Sequence, residues 1–241
     1  MAVSMDNAFE GFRLGRHKPL TIAIWAAYFL IASAITAALT VSLMGPAMQQ
    51  FMAASQAGPQ DPEAALQSLA AIWPASMLIS LWSVAVYSIG QTAATRAVLR
   101  PQDDRFGYLR FGADELRVFL SLLGYWGVLL GVYFAGVVAA VVLSVVGMLA
   151  GPVVGGLLIA AAIVAIMVAM VYVGVRLSLA PAMTVESRKI RVMASWEQTR
   201  GQVLPMLGAY FVSWIMAVLV MLLMTVIYIA IAAVVTGDVT W

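Results

Sequence analysis

Residues 176–205 read RLSLAPAMTVESRKIRVMASWEQTRGQVLP. The segment lies between two long apolar runs and holds five of the chain's thirteen lysines and arginines. Residues 96–117, RAVLRPQDDRFGYLRFGADELR, form a shorter counterpart, and a third basic segment opens the chain at residues 9–18. We expect these three to be elbows on one side of a membrane, joined by spanning helices. The fold class that follows is all-α: a polytopic transmembrane helical bundle, with residues 1–241 as a single integral membrane domain.

Composition leads the same way. Apolar residues make up 63% of the chain and charged residues 10%, against about 45–50% and about 25% in soluble domains. So much apolar surface suits lipid as the solvent. A net charge of +2 is too small to suggest nucleic acid. There is no cysteine, which excludes disulfides and thiol chemistry. The one histidine, His17, sits in a basic flank, and a zinc site would need carboxylates for nearly every ligand. No metal and no cofactor are expected.

Five spans are expected, over residues 20–44, 73–99, 118–149, 153–179 and 205–235. The first is too long for a signal core of about 7–15 residues and is expected to stay in the protein. Pro19 suits the first turn of that helix, and Gly45-Pro46 mark its weakening. Residues 55–60 read as a loop, and Asp61-Pro62-Glu63 as a helix start with Asp61 as its cap. Pro101 and Pro181 each stop a helix, and Gly151-Pro152 is a tight turn. The elbows are then residues 1–19, 100–117 and 180–204. In the first full elbow, Asp103 or Asp104 is placed to cap a short helix with Phe106, Leu109, Ala113 and Leu116 on one face. In the large elbow, Ile190, Met193 and Trp196 form the apolar edge of an interfacial helix over residues 187–201.

Every basic residue falls in residues 9–18, 96–117 or 176–205, the elbows with the helix ends that lead into them, while the other loops and the tail carry only Asp61, Glu63 and Asp238. Cytoplasmic flanks retain Lys and Arg. All three elbows are therefore expected in the cytoplasm, with the N-terminus inside and the C-terminus outside.

The elbows also resemble each other. Arg96-x-x-Leu99-x-Pro101 recurs as Arg176-x-x-Leu179-x-Pro181, and Phe106-x-x-x-Arg110 as Trp196-x-x-x-Arg200, with Phe9-x-x-x-Arg13 a third copy. A parallel internal repeat would produce this. So would the ordinary enrichment of aromatics, arginine and proline at interfaces and helix ends.

The run from Arg176 to Ala182, followed by Ser195-Trp-Glu-Gln-Thr-Arg-Gly201, resembles the membrane domain found beside some bacterial glycerophosphoryl diester phosphodiesterases. It is equally similar to stand-alone bacterial multi-pass proteins of unknown function. The resemblance covers the large elbow and, more weakly, the first. It implies a multi-pass protein of the bacterial inner membrane. It carries over no active site, because the catalytic part of those diesterases is a separate soluble barrel.

The spans hold almost nothing ionisable. A central charge would cost roughly 2.5–3.5 kcal/mol and would mark an ion path; none is present, which argues against a carboxylate proton relay. Arg96 and Arg176 lie at helix ends, where a long side chain can snorkel. In the second span Ser80, Ser83 and Tyr87 share a face, with Ser88, Gln91 and Thr92 nearby. They line a polar cleft or, as is commoner, bond between helices. Gly127-x-x-x-Gly131 and Gly151-x-x-x-Gly155 are packing signals. No nucleophile, zincin or Walker motif is visible, and the sequence argues against an enzyme.

The remaining candidates are the elbow cations. Arg188, Lys189, Arg191 and Arg200, with Arg96, Arg110 and Arg176, are placed to meet anionic headgroups, with Trp196 at headgroup level and one turn from Arg200. The same residues are also placed to orient and cap the bundle. The leading expectation is a non-enzymatic membrane protein that meets lipid, or a protein partner or second copy, through its elbows. The alternative is a carrier or permease for a lipid or other amphiphile along the Ser80, Ser83, Tyr87 and Gln91 face. A membrane enzyme acting on lipids would need polar groups converging on one pocket.

Overall fold

The computed structural model describes the backbone of residues 10–56, 62–102 and 104–236. Phe9, Asp61, Asp103 and Asp238, and with them the third copy of the aromatic–arginine spacing and the cap expected before Pro62, lie outside the described residues. Every regular element among the described residues is helical: α1 (Glu10–His17), α2 (Pro19–Gln56), α3 (Pro62–Leu99), α4 (Ala113–Ala150), α5 (Pro152–Leu177), α6 (Ala180–Ser187), α7 (Ala194–Gln198) and α8 (Val203–Thr236). A 3-10 turn covers Arg105–Tyr108.

Among the described residues five helices are long and apolar enough to cross a membrane: α2, α3, α4, α5 and α8. They are the five expected stretches. α4 and α8 run unbroken, and α5 stops at Leu177, two residues before the expected end. α2, α3 and α4 are each 38 residues long, or about 57 Å, which exceeds the ~30 Å hydrocarbon layer. Gly45-Pro46 does not end α2, and Pro74 does not end α3. Each proline costs one backbone hydrogen bond. In an apolar setting, leaving the helix would leave several groups unpaired.

The chain forms two compact units. One comprises residues 18–198 and the other residues 1–17 with 199–241. The second unit contains α8, whose consecutive Val220, Met221, Leu222 and Leu223 are all exposed and so face different sides. A helix apolar all round suits lipid.

Within residues 18–198, α2 packs on α3, α3 on α4, and α4 most extensively on α5. α6 lies across α3 and α4, and α7 touches α5 and α6. Two small cores hold these contacts. Val118, Leu122 and Val185 form one, with Val84 against it. Leu129, Val173 and Leu177 form the other, joined by Tyr125, Val128, Met170 and Val192. Pro181 falls in the first turn of α6, where its missing N–H is harmless. It therefore starts a helix as well as following the end of one.

The α4–α5 hairpin turns through Gly151, whose φ of 109° favours glycine. The closest approach of the two backbones is elsewhere. A Cβ at Gly147 would stand 2.6 Å from the Cα of Gly155. At Gly127 and Gly131 a Cβ would meet nothing within 4 Å. Of the two GxxxG signals, only Gly155 of the second lies at a helix contact, and its partner is Gly147. Gly147→Val is expected to push α4 and α5 apart at a cost of about 1–3 kcal/mol. Gly127→Val should leave stability unchanged. Thermal unfolding in detergent compares the two; equal midpoints would rule out this contact as the one that sets hairpin stability.

Candidate functional site

The first elbow is built around Arg96. It lies in the last turn of α3, where the helix dipole favours a cation. Pro101 then disfavours helical backbone at Arg100, and the chain turns. Asp114 and Glu115 lie in the first turn of α4, where the dipole favours acids. The turn brings the two helix ends together. Arg96 Nη1 donates to Glu115 Oε1 at 2.5 Å, and Nη2 donates to Asp114 Oδ2 at 3.3 Å. Arg117 Nη1 donates to Asp114 Oδ1 at 2.8 Å. Arg96 is 5% exposed and does not snorkel. Its two acids hold it inside. Glu115 Oε2, also buried, has no hydrogen-bond partner among the described residues.

Between these ends the chain does not form the expected short helix. Phe106, Gly107 and Tyr108 all have left-handed backbone, with φ of 51°, 62° and 65°. The run turns Tyr108 inward and leaves Phe106 outside. Tyr108 donates its hydroxyl to Pro101 O at 2.8 Å and accepts from Lys18 Nζ at 2.5 Å. Lys18 also donates to Pro101 O at 2.9 Å. Its ammonium lies 5.1 Å from the centre of the Tyr108 ring.

The large elbow repeats the plan with different chemistry. Arg176 lies in the last turn of α5 and is again 5% exposed. Its guanidinium stands 4.5 Å from the centre of the Trp196 ring and 5.9 Å from that of Tyr172. The two rings meet edge-on, with centroids 5.9 Å apart. Ser195 donates its hydroxyl to Arg176 O at 2.7 Å. Trp196 therefore stacks on Arg176, the cation presented by the packing of α7 on α5.

Residues 187–201 are not one helix. α6 ends at Ser187, whose hydroxyl donates to Met183 O at 2.7 Å and accepts from the N–H of Lys189, and Arg188 takes a left-handed backbone with φ of 54°. A serine side chain that competes for nearby backbone groups is a known helix stop. The turn exposes Arg188, Lys189, Ile190 and Arg191, then turns Val192 in against Leu129, Val173 and Leu177.

Comparison with protein-family models, curated proteins and solved structures finds no match. The chemistry of the elbows carries the functional argument. Arg188, Lys189 and Arg191 are brought together on one exposed turn, while Arg96 and Arg176 are held inside. Arg110 is half-buried after the 3-10 turn, and Arg200 is exposed in the other unit. On α3, Ser80, Ser83 and Tyr87 are exposed and Gln91 is half-buried. Ser83, Ser88 and Thr92 donate their hydroxyls to carbonyls of their own helix. An apolar groove of about 850 Å³ follows one face of α5, lined among others by Leu157, Ala161, Val168 and Tyr172. Among the described residues no three His, Asp or Glu side chains gather as a metal cage.

Lys18, Tyr108, Asp114, Glu115 and Tyr172 escape a reading by residue type. The one available signal is the acidic pair opening a long apolar helix beside a basic elbow. Arg96→Met is expected to strand the buried Glu115 carboxylate, while Asp114 keeps Arg117, at about 3–5 kcal/mol. Replacing Glu115 by Leu in that variant should recover part of the loss. Unfolding midpoints in detergent and proteolysis within residues 100–112 check this; a wild-type midpoint for Arg96→Met would rule out the clamp.

Proposed function

We propose that this chain is a multi-pass membrane protein without enzymatic activity, whose basic elbows lie on the cytoplasmic face and bind anionic lipid headgroups. The observation that carries the proposal is the exposed turn of Arg188, Lys189 and Arg191 beside a buried Arg176 that stacks on the partly exposed Trp196. A cation held inside by stacking is committed to the fold. Three cations standing outside on a fixed turn are available to a ligand. Polybasic segments next to a membrane attract anionic lipids, and Trp196 is of the kind that sits at headgroup level.

The N-in, C-out topology belongs to this proposal and rests on the segregation of the thirteen basic residues. So does a parallel repeat. Arg96 and Arg176 each close a membrane-length helix, each is buried, and each binds the elbow that follows. The placement in a bacterial inner membrane draws on the resemblance of the large elbow. A second reading, a carrier for a lipid or other amphiphile, draws on the exposed Ser80, Ser83 and Tyr87 of α3.

The triple variant Arg188→Gln, Lys189→Gln, Arg191→Gln should lose preference for anionic over zwitterionic vesicles, roughly fivefold for each base removed. Its circular dichroism should match that of the parent. Unchanged retention of anionic lipid in native mass spectra would sink the proposal. Topology has its own check, because the chain contains no cysteine. An impermeant thiol reagent applied to intact spheroplasts should label Gly151→Cys and spare Arg188→Cys; the opposite pattern would invert the orientation.

A further inference from the structure

We infer that the first elbow re-enters the membrane interface, with Phe106 and Phe111 as an aromatic wedge set into lipid; the inference rests on the membrane placement proposed above. The depth comes from register. Lys18 stands just before α2, and Ile24 and Trp25 lie in the second turn of α2. Gly107 is held against that turn. A Cβ on Gly107 would lie 3.2 Å from Ile24 Cγ2, and Trp25 Nε1 donates to Gly107 O at 2.6 Å. The tip of the elbow therefore lies on the membrane side of Lys18, alongside the apolar helix.

The backbone of the elbow is equipped for that place. In lipid, carbonyls need partners from the protein itself. Pro101 O accepts from Tyr108 Oη and Lys18 Nζ, Asp104 O from Gly107 N, Phe106 O from Leu109 N, and Gly107 O from Trp25 Nε1. Tyr108 O faces Arg96 Nη1 at 3.5 Å. Five carbonyls between Pro101 and Tyr108 thus have partners within the protein.

The side chains left outside are of the right kind. Phe106 is 83% exposed and Phe111 88%. Arg105 and Arg110 flank them, and Leu116 and Leu120 continue the apolar surface into α4. Left-handed backbone is rare for a bulky residue. Here it is imposed by the inward docking of Gly107 and Tyr108, and its consequence is a phenyl ring turned outward. Rings at the acyl boundary with arginines reaching back to headgroups are the pattern of an interfacial anchor.

Single cysteines in this cysteine-free chain allow a direct test. Phe106→Cys and Phe111→Cys are nitroxide-labelled in vesicles of phosphatidylcholine and phosphatidylglycerol. Collision with oxygen, which partitions into lipid, and with an aqueous nickel chelate gives the depth of each label. Asp104→Cys serves as the water reference and Leu130→Cys, exposed on α4, as the hydrocarbon reference. The expected result is a label ~5–10 Å inside the phosphate level at positions 106 and 111. Nickel accessibility equal to that of position 104 at either site would overturn the inference. Shielding from both reagents would overturn it too, because a protein surface would then cover the rings. The preference for anionic lipid is read on the same vesicles. If it persists while the labels lie in water, the wedge fails and the proposed function stands.

Discussion

Arg96 is buried at the end of α3, and the carboxylates of Asp114 and Glu115 make that burial tolerable. A guanidinium at the edge of an apolar bundle has two outlets: reach water, or meet its counter-charge inside. This one meets it inside. The acids stand at the positive end of α4 and the base at the negative end of α3, so each helix dipole already favours the charge it receives. Closing this contact sets the path of the whole first elbow. It brings Tyr108 under the helix ends and leaves room for Lys18 to bond both Tyr108 and Pro101.

The large elbow meets the same constraint with aromatic rings. Arg176 lies against two aromatic rings, and Ser195 takes the carbonyl of Arg176 itself. A stack of this kind holds a cation through the ring faces. The two elbows thus share a position for arginine and proline but not a partner for the arginine. Phe106, which matches Trp196 in spacing, points outward, while Trp196 packs on Arg176. Any common ancestry would lie in the helix end and not in the aromatic.

Each elbow therefore divides its cations between two uses. Those on the inner side close helix ends. Those on the outer side, Arg188, Lys189 and Arg191 above all, stand on turns whose backbone is fixed by a serine cap and by Val192 packing inward. A rigid turn holds its charges in place at little further entropic cost on binding. The hydroxyls of α3 are spent differently. Ser83, Ser88 and Thr92 bond their own helix, which lets polar residues sit in an apolar span without a partner across the bundle.

The sequence by itself determined the helical class, five membrane-length helices, and the gathering of every base into three segments. These follow from composition and run length, which are local properties: an apolar stretch of sufficient length has helix as its one economical form in lipid. It also placed Arg96 and Arg176 at helix ends. What it left open was whom they meet. Packing of α7 on α5 set Trp196 on Arg176, a partner that no local spacing offered. Periodicity suggested a helix through Phe106 and Leu116, and the pull of Tyr108 toward Lys18 and Pro101 imposed a left-handed turn. Two glycine motifs were legible, and only the crossing of α4 and α5 decided that Gly147 and Gly155 touch. In each case the deciding partner lies on another helix, and pairing between helices is a tertiary choice that no local pattern records.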